Sequence, residues 1–367
     1  MRAAVALVFV LLAQHPPRVE QLAEAQRLRD LALYDKAEAV LRTFLKTVSG
    51  ESQAQRAVPE FRAALCEVLL AARKYDELKA EGEVLRRHPK SKFHALTLLA
   101  AGAWHSGLVA EAKDLCDEAD KAAADPASGA TPELLRRLRL IRGVLNWKRF
   151  ETATHIVYHP ADSTIAINPT HFGRKLDAAF ERVKADLDVA FPGKVEAFFF
   201  NDQAQADAIL EKSLSSSVPA LRTYYSRADA PPGFAIAQVL SFFVANRQQR
   251  RPPKLLGLCE GFYAAHANDP RWDRRRIEIP KKLAAEDKLE PLSRILSLPG
   301  NDAESYAVSG AFVQWLIKTR GRELFRKFWA DYNELTGADG SDTRQPWVEV
   351  YGSSLEVLEA GWRSSIR

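Results

Sequence analysis

From residue 17 to about residue 144, apolar side chains return every three or four positions, separated by Ala, Glu, Arg and Lys. That period stacks them on one face of a helix, so the whole stretch is expected to be helical. The pattern changes near Asn146-Trp147. Residues 154–159, 163–167 and 195–200 are short β-rich runs and are expected as strands. A helix is expected over about residues 170–191, ended by Pro192-Gly193. Asn201-Asp202-Gln203 should cap another helix over residues 204–212. The pattern therefore predicts an α+β chain: an all-α region over 17–145, then a small sheet plus helices over 146–367. Residues 124–132 form a loop by their Pro, Gly and small residues, after which Thr131 caps a helix that has Pro132 in its first turn.

Three phrases recur within the helical region. Each is a helix, a short turn, an aromatic or leucine, then an acid beside a small or apolar residue. The turns are marked by Tyr34-Asp35-Lys36-Ala37, Tyr75-Asp76-Glu77-Leu78 and Leu108-Val109-Ala110-Glu111-Ala112. Tyr34 and Tyr75 lie 41 positions apart, and Tyr75 and Leu108 lie 33 apart. These phrases resemble the tetratricopeptide repeat, whose period is about 34. Pro89 and Pro126 fall where that repeat usually has Pro. The resemblance implies stacked helix pairs with a concave face that binds a peptide or a partner protein. A spacer that only supports the second region is the other reading, and the residues do not choose between them. His88, His94 and His105 show no ligand spacing. The basic run from Arg136 to Arg142 alternates with Leu and Ile, as on a helix with one solvated face.

Met1-Arg2 and the apolar residues up to Ala13 read as a signal peptide, too short to span a bilayer comfortably. Residues 1–16 are assigned to it, with cleavage near Ala13 and no following Cys to accept a lipid. Export to the periplasm or the outside of the cell is expected, and no later stretch predicts a stable membrane span. Net charge is +5, from 52 basic and 47 acidic residues. The charges are interleaved and no binding motif accompanies them, so no nucleic-acid partner is expected. Cys66, Cys116 and Cys259 have no metal-binding spacing. Export would permit a Cys66–Cys116 disulfide, which spacing alone does not establish. Cys259 as a nucleophile would need a nearby His, and His266 is seven positions on, about two helical turns away.

The most informative stretch runs from Ala237 to Ala264. Leu255-Leu256-Gly257-Leu258-Cys259-Glu260-Gly261-Phe262-Tyr263-Ala264 follows the turn Pro252-Pro253. It resembles the phrase in which gluzincin, peptidase-MA-like zinc metallopeptidases place their third metal ligand, a Glu. Upstream, Ile236-Ala237-Gln238-Val239-Leu240-Ser241-Phe242 resembles the helix that carries H-E-x-x-H. There two His at i and i+4 reach zinc and the Glu between them is the general base. Further phrases resemble the family in order: Lys288-Leu289-Glu290-Pro291-Leu292-Ser293, the helix beginning Ser305-Tyr306-Ala307, and Arg320-Gly321-Arg322-Glu323. The resemblance covers roughly residues 147–367 and implies a zincin-like domain. In active relatives a Tyr near the helix that begins Ser305-Tyr306-Ala307 here can stabilise the tetrahedral intermediate; Tyr306 stands there, either in that role or as a packing anchor.

At the chemical positions this sequence departs from the family. The His positions hold Gln238 and Phe242, the base position holds Val239, and no His occurs between Phe172 and Ala265. Catalytic zinc takes about three protein ligands, so Glu260 alone cannot hold it. Gln238, Val239, Phe242 and Glu260 are thus vestigial positions, and neither metal nor other cofactor is expected. Ile236, Val239, Leu240, Phe243 and Val244 form an apolar stripe, suggesting a helix kept for packing. Glu260 is expected at the surface or paired with Arg247, Arg250, Arg251 or Lys254. The resulting expectation is an exported, non-catalytic metallopeptidase homologue that binds protein or peptide. The alternative is a hydrolase with a site rebuilt from His155, His159, His171, Glu260 and His266.

Overall fold

The computed structural model describes residues 18–48, 57–210, 217–218, 221–244, 252–297, 302–336 and 345–366. The signal-peptide assignment and the expected Arg247, Arg250 and Arg251 partners lie outside these residues. The chain is α+β, mostly helical with one small mixed sheet. It divides into two compact units, Met1–Trp147 with Ala204–Lys212, and Lys148–Gln203 with Ser213–Arg367.

The first unit is a row of helices: α1 (Arg18–Asp30), α2 (Tyr34–Thr47), α3 (Val58–Ala72), α4 (Tyr75–Leu85), α5 (Lys92–His105), α6 (Val109–Ala123) and α7 (Pro132–Val144). Each packs against the next, and α1, α3, α5 and α7 also pack in succession. The turns α1–α2, α3–α4 and α5–α6 are built alike. Each has one residue with positive φ: Ala32 (55°), Arg73 (62°) and Gly107 (79°). Each then closes with the same bond across the turn: Leu33 N–H to Leu28 O at 2.8 Å, Lys74 N–H to Leu69 O at 2.9 Å, and Leu108 N–H to Ala103 O at 2.8 Å. This is a left-handed helix terminator that satisfies carbonyls at the helix end. In this backbone register Tyr34, Tyr75 and Val109 correspond, so the third unit is shifted by one residue from the sequence alignment on Leu108.

Across the alternate helices, the buried Glu67 carboxylate of α3 accepts from His94 Nε2 of α5 at 2.9 Å and Arg137 of α7 at 2.7 Å. Burial would raise its pKa, but the Arg137 charge and the His94 hydrogen bond hold it well below the usual range. Thr131 Oγ1 caps α7 through Leu134 N–H at 3.3 Å. Cys66 and Cys116 are buried free thiols, so they form no disulfide. Burial pushes them up to about 12 and about 11, leaving no thiolate near neutrality. Helix α9 (Gln203–Leu210) belongs with this unit because Gly143, lacking a Cβ, lets Ile209 pack onto α7.

The second unit holds strands β1 (Lys148–Glu151), β2 (His155–His159), β3 (Val195–Phe200), β4 (Ser217–Val218) and β5 (Thr223–Arg227), in the order β1-β2-β3-β5-β4. The inner pairs β2–β3 and β3–β5 are parallel and the outer pairs antiparallel. Residues 163–167 are not a strand. Ser163 Oγ accepts from Ile165 N–H at 3.0 Å and starts a 3-10 turn, with Ile165 buried and Ile167 84% exposed. Helix α8 (Pro169–Leu187) is fixed to the sheet by Asp177, which accepts from Thr152 Oγ1 at 2.6 Å and Thr154 N–H at 3.1 Å. It ends before residue 191 because Asp188 turns left-handed. Val189 then bridges Val244, and Ala190 N–H reaches Phe243 O at 3.0 Å.

The remaining helices are α10 (Pro232–Leu240), α11 (Leu256–Ala265), α12 (Pro270–Ala285), α13 (Leu292–Ser297), α14 (Ala303–Arg320), α15 (Arg322–Leu335), α16 (Pro346–Tyr351) and α17 (Leu355–Ile366). Ile236, Val239, Leu240, Phe243 and Val244 are all buried, though α10 ends at Leu240, so the last two lie beyond it. Helices α11 and α14 cross closely: a Cβ on Gly261 would lie 2.8 Å from Ser309 backbone atoms. Phe262, Phe325 and Trp329 pack beside this crossing, with Phe262 and Trp329 centroids 4.8 Å apart. Among the described residues no helix is long and apolar enough to cross a membrane.

Candidate functional site

Three helices of the second unit line a partly open cavity of about 400 Å³. Helix α10 and the turn after it contribute Phe234, Gln238 and Phe242, spaced i, i+4, i+8 along one face. Helix α11 contributes Leu256, Cys259, Glu260 and Tyr263, spaced three or four apart or adjacent along the facing side, and α14 contributes Tyr306. Pro252-Pro253 and Ser217 complete the described wall. The structure thus brings together Gln238, Phe242, Glu260 and Tyr306, which the sequence singled out. Val239 is fully buried and does not line the cavity.

The Tyr306 hydroxyl lies near the Glu260 carboxylate. Burial first, and then the Glu260 charge, raise the Tyr306 pKa. The phenol therefore stays protonated. Tyr306 is also an aromatic anchor, edge-on to Phe234 at 5.9 Å and Trp272 at 6.4 Å. Tyr263 meets Phe234 at 5.6 Å and 74°. Its hydroxyl lies 3.3 Å from Ser241 Oγ, which donates to Gln238 O at 2.9 Å, closing the last turn of α10. Sequence reasoning missed Phe234 and Tyr263. The signal was present: each is four or three residues from a residue already singled out, on the same helix face.

Cys259 also borders the cavity. It is buried, its Sγ is 3.2 Å from Pro253 O, and it does not pair with His266. The other chemical groups lie elsewhere. His266 instead contacts Phe262 O through Nδ1 at 2.8 Å and Asp186 Oδ2 through Nε2 at 3.0 Å. Arg322 Nε holds the other Asp186 oxygen at 2.5 Å. Burial would raise Asp186, but His266 and Arg322 outweigh it and keep its pKa lowered. His155 is fully buried, with Nδ1 2.7 Å from Thr154 Oγ1. Desolvation lowers its pKa despite Asp177 nearby. His159 Nδ1 faces Pro160 O at 2.7 Å. His171 is exposed in the first turn of α8. Among the described residues, no three His, Cys, Asp or Glu side chains are grouped to hold a metal.

The described cavity wall therefore offers one carboxylate, one amide, two phenols, one thiol and one serine hydroxyl set among aromatic rings, with no imidazole among its described residues. Such a wall can bind and orient a ligand. Comparison with protein-family models, curated proteins and solved structures finds no match for this chain.

Proposed function

We propose that this chain is an exported, non-catalytic relative of the gluzincin metallopeptidases, and that it binds a peptide or protein segment. The observation that carries the reading is the meeting of Gln238, Phe242 and Glu260 at one cavity. In the family register these are the three metal-ligand positions, and here they hold an amide, a phenyl ring and a carboxylate. Tyr306 reaching Glu260 fits the position of the family's phenol donor. The helix pairs of the first unit, with their repeated turn, suit tetratricopeptide-like units that hold a partner. Export to the periplasm or beyond rests on residues 1–16.

The test rebuilds the metal site. Gln238→His with Phe242→His, keeping Glu260, restores two imidazoles and one carboxylate, a catalytic zinc set. Val239 is left alone because its side chain lies in the core. Zinc content after dialysis is expected to be stoichiometric in the double variant and negligible in the wild type. The wild type should retain denatured casein without cleaving it. Stoichiometric zinc in the wild type together with casein cleavage would overturn the proposal and favour an active hydrolase.

A further inference from the structure

Helix α12 carries six basic residues and two acidic ones, an excess of four charges in a chain whose net charge is +5. Its inner side is narrow. Arg276 and Pro280 are its buried residues, and Arg276 donates to Ala264 O of α11 and pairs with Asp273. Trp272 lies edge-on to Tyr306 of α14 at 6.4 Å. With these residues turned inward, Arg274, Arg275, Ile277, Lys281 and Lys282 are all exposed. Arg274, Ile277 and Lys281, at i, i+3 and i+7, form one row along the helix, and Arg275, Glu278 and Lys282 form the next. The outer face thus sets four cations against one acid, Glu278.

A basic helix face is often merely solvated; this one is also unbalanced. Cations of the first unit find acids on neighbouring helices: Lys74 Nζ lies 2.8 Å from Glu38 and Lys79 Nζ 2.8 Å from Glu111. On α12 itself Arg271 pairs with Asp269 at 2.8 Å. Among the described residues, Arg274, Lys281 and Lys282 meet no carboxylate, and Arg275 lies over the Trp272 ring at 5.5 Å. The described residues run unbroken from 252 to 297 through this helix, and residues 298–301 beyond them contain no acid.

Such a face attracts an anionic surface. Ile277, 59% exposed between Arg274 and Lys281, decides which kind. A polyanion in solution offers an isoleucine nothing apolar. The headgroup boundary of a bilayer takes both, with cations at the anionic headgroups and an apolar side chain just beneath them. Trp272 beside Arg275 adds an amphipathic ring of the kind that settles at that boundary. Among the described residues no helix can cross a membrane, so the attachment is to the surface.

We propose that α12 seats the second unit on an anionic phospholipid surface, with Arg274, Arg275, Lys281 and Lys282 at the headgroups and Ile277 at the acyl boundary. The inference does not depend on what the cavity holds.

Partition of the full chain between buffer and vesicles tests it. One set of vesicles is phosphatidylcholine alone, and the other contains about one third phosphatidylglycerol. The readout is the ratio of the two partition coefficients, because the apolar residues up to Ala13 would attach to either surface alike. At low salt the ratio is expected near a hundredfold, about fivefold for each net cation of the face, and should fall toward one as salt is added. Arg274→Gln with Lys281→Gln should cut it to about a tenth or less. Lys113→Gln with Lys121→Gln removes the same charge from exposed positions on α6 and should leave it within about twofold. Ile277→Ser should weaken binding to the anionic vesicles roughly threefold to tenfold. All five positions are exposed, and matching circular dichroism melts would show that the variants are folded. A wild-type ratio near one, or an equal loss in the α12 and α6 pairs, would overturn the proposal. So would an Ile277→Ser chain that binds as tightly as the wild type, which would point to a soluble polyanion instead.

Discussion

Gly261 follows Glu260 on α11, and the geometry of the cavity depends on its missing side chain. A Cβ there would sit 2.8 Å from the carbonyl carbon, oxygen and Cβ of Ser309. Two of those atoms are backbone, so relief requires α11 and α14 to move apart. Overpacking of this kind costs about 1–3 kcal/mol. Gly261→Ala is therefore expected to lower the unfolding free energy by that amount, read as a lower urea midpoint with an unchanged slope. Glu260 and Tyr306 face each other across the same crossing, so the substitution should also lengthen their contact and weaken any cavity ligand. An unchanged midpoint would show that the two helices are not held at this distance. Gly233 plays a similar part at the start of α10, where a Cβ would overlap His266 O. Sequence alone named Gln238, Phe242, Glu260 and Tyr306, because each falls at a chemical position of the phrases that resemble the gluzincins. It passed over Gly233 and Gly261, because the need for a glycine comes from a second helix that the local sequence does not reveal.

At the scale of elements, the three equal turns of the first unit differ in one respect. Gly107 adopts its positive φ without steric cost, whereas Ala32 and Arg73 carry a Cβ into the left-handed region. A Cβ at Gly107 would meet nothing within 4 Å. Gly107→Ala thus isolates the backbone penalty, expected at about 1 kcal/mol of destabilisation by chemical denaturation. A neutral or stabilising result would mean that the turn relaxes out of this conformation, and the three turns would not be equivalent.

Long periodic stretches were readable at this scale: α2, α6 and α7 each bury one stripe, while α5 is buried on nearly all sides. Short strands were less so. The run over 163–167 has strand-like composition, but Ser163 offers its hydroxyl to Ile165 N–H and the chain turns instead. Strand β1 is mostly exposed and reads as polar, and β5 lies between segments without clear punctuation, so neither pattern announced a strand. The apolar stripe of α10 runs past the helix itself. Ser241 closes the last turn, and the Phe243-Val244 segment pairs with residues 189–190. Periodicity reports which side chains are buried, not whether a helix or an extended partner buries them.

For the whole molecule, the buried ionisable groups set how stability responds to acid, and they act in two steps. His155 and His159 have pKa values lowered by burial. The folded chain keeps them neutral while the unfolded chain protonates them from about pH 6.5 downward. Glu67, Asp177 and Asp186 have lowered pKa values because their partners outweigh burial. Their contribution is complete above the ordinary carboxylate range and is lost as pH falls through it toward the folded values. In both cases the unfolded state binds more protons, so stability must fall with decreasing pH. Each such proton contributes up to about 1.4 kcal/mol per pH unit. Melting temperature is expected to be flat from pH 8 to about 7, to decline gently toward pH 5, and to drop steeply below about pH 4.5. Glu67 lies in the first unit and the other four groups in the second. The gentle decline therefore belongs to the second unit alone, while the steep drop belongs to both. Asp177→Asn should make the steep drop shallower at the cost of stability near neutrality, because the amide cannot titrate and accepts less strongly from Thr152 and Thr154. A melting temperature constant from pH 7 to 5 would show that the two histidines are not kept neutral by the fold.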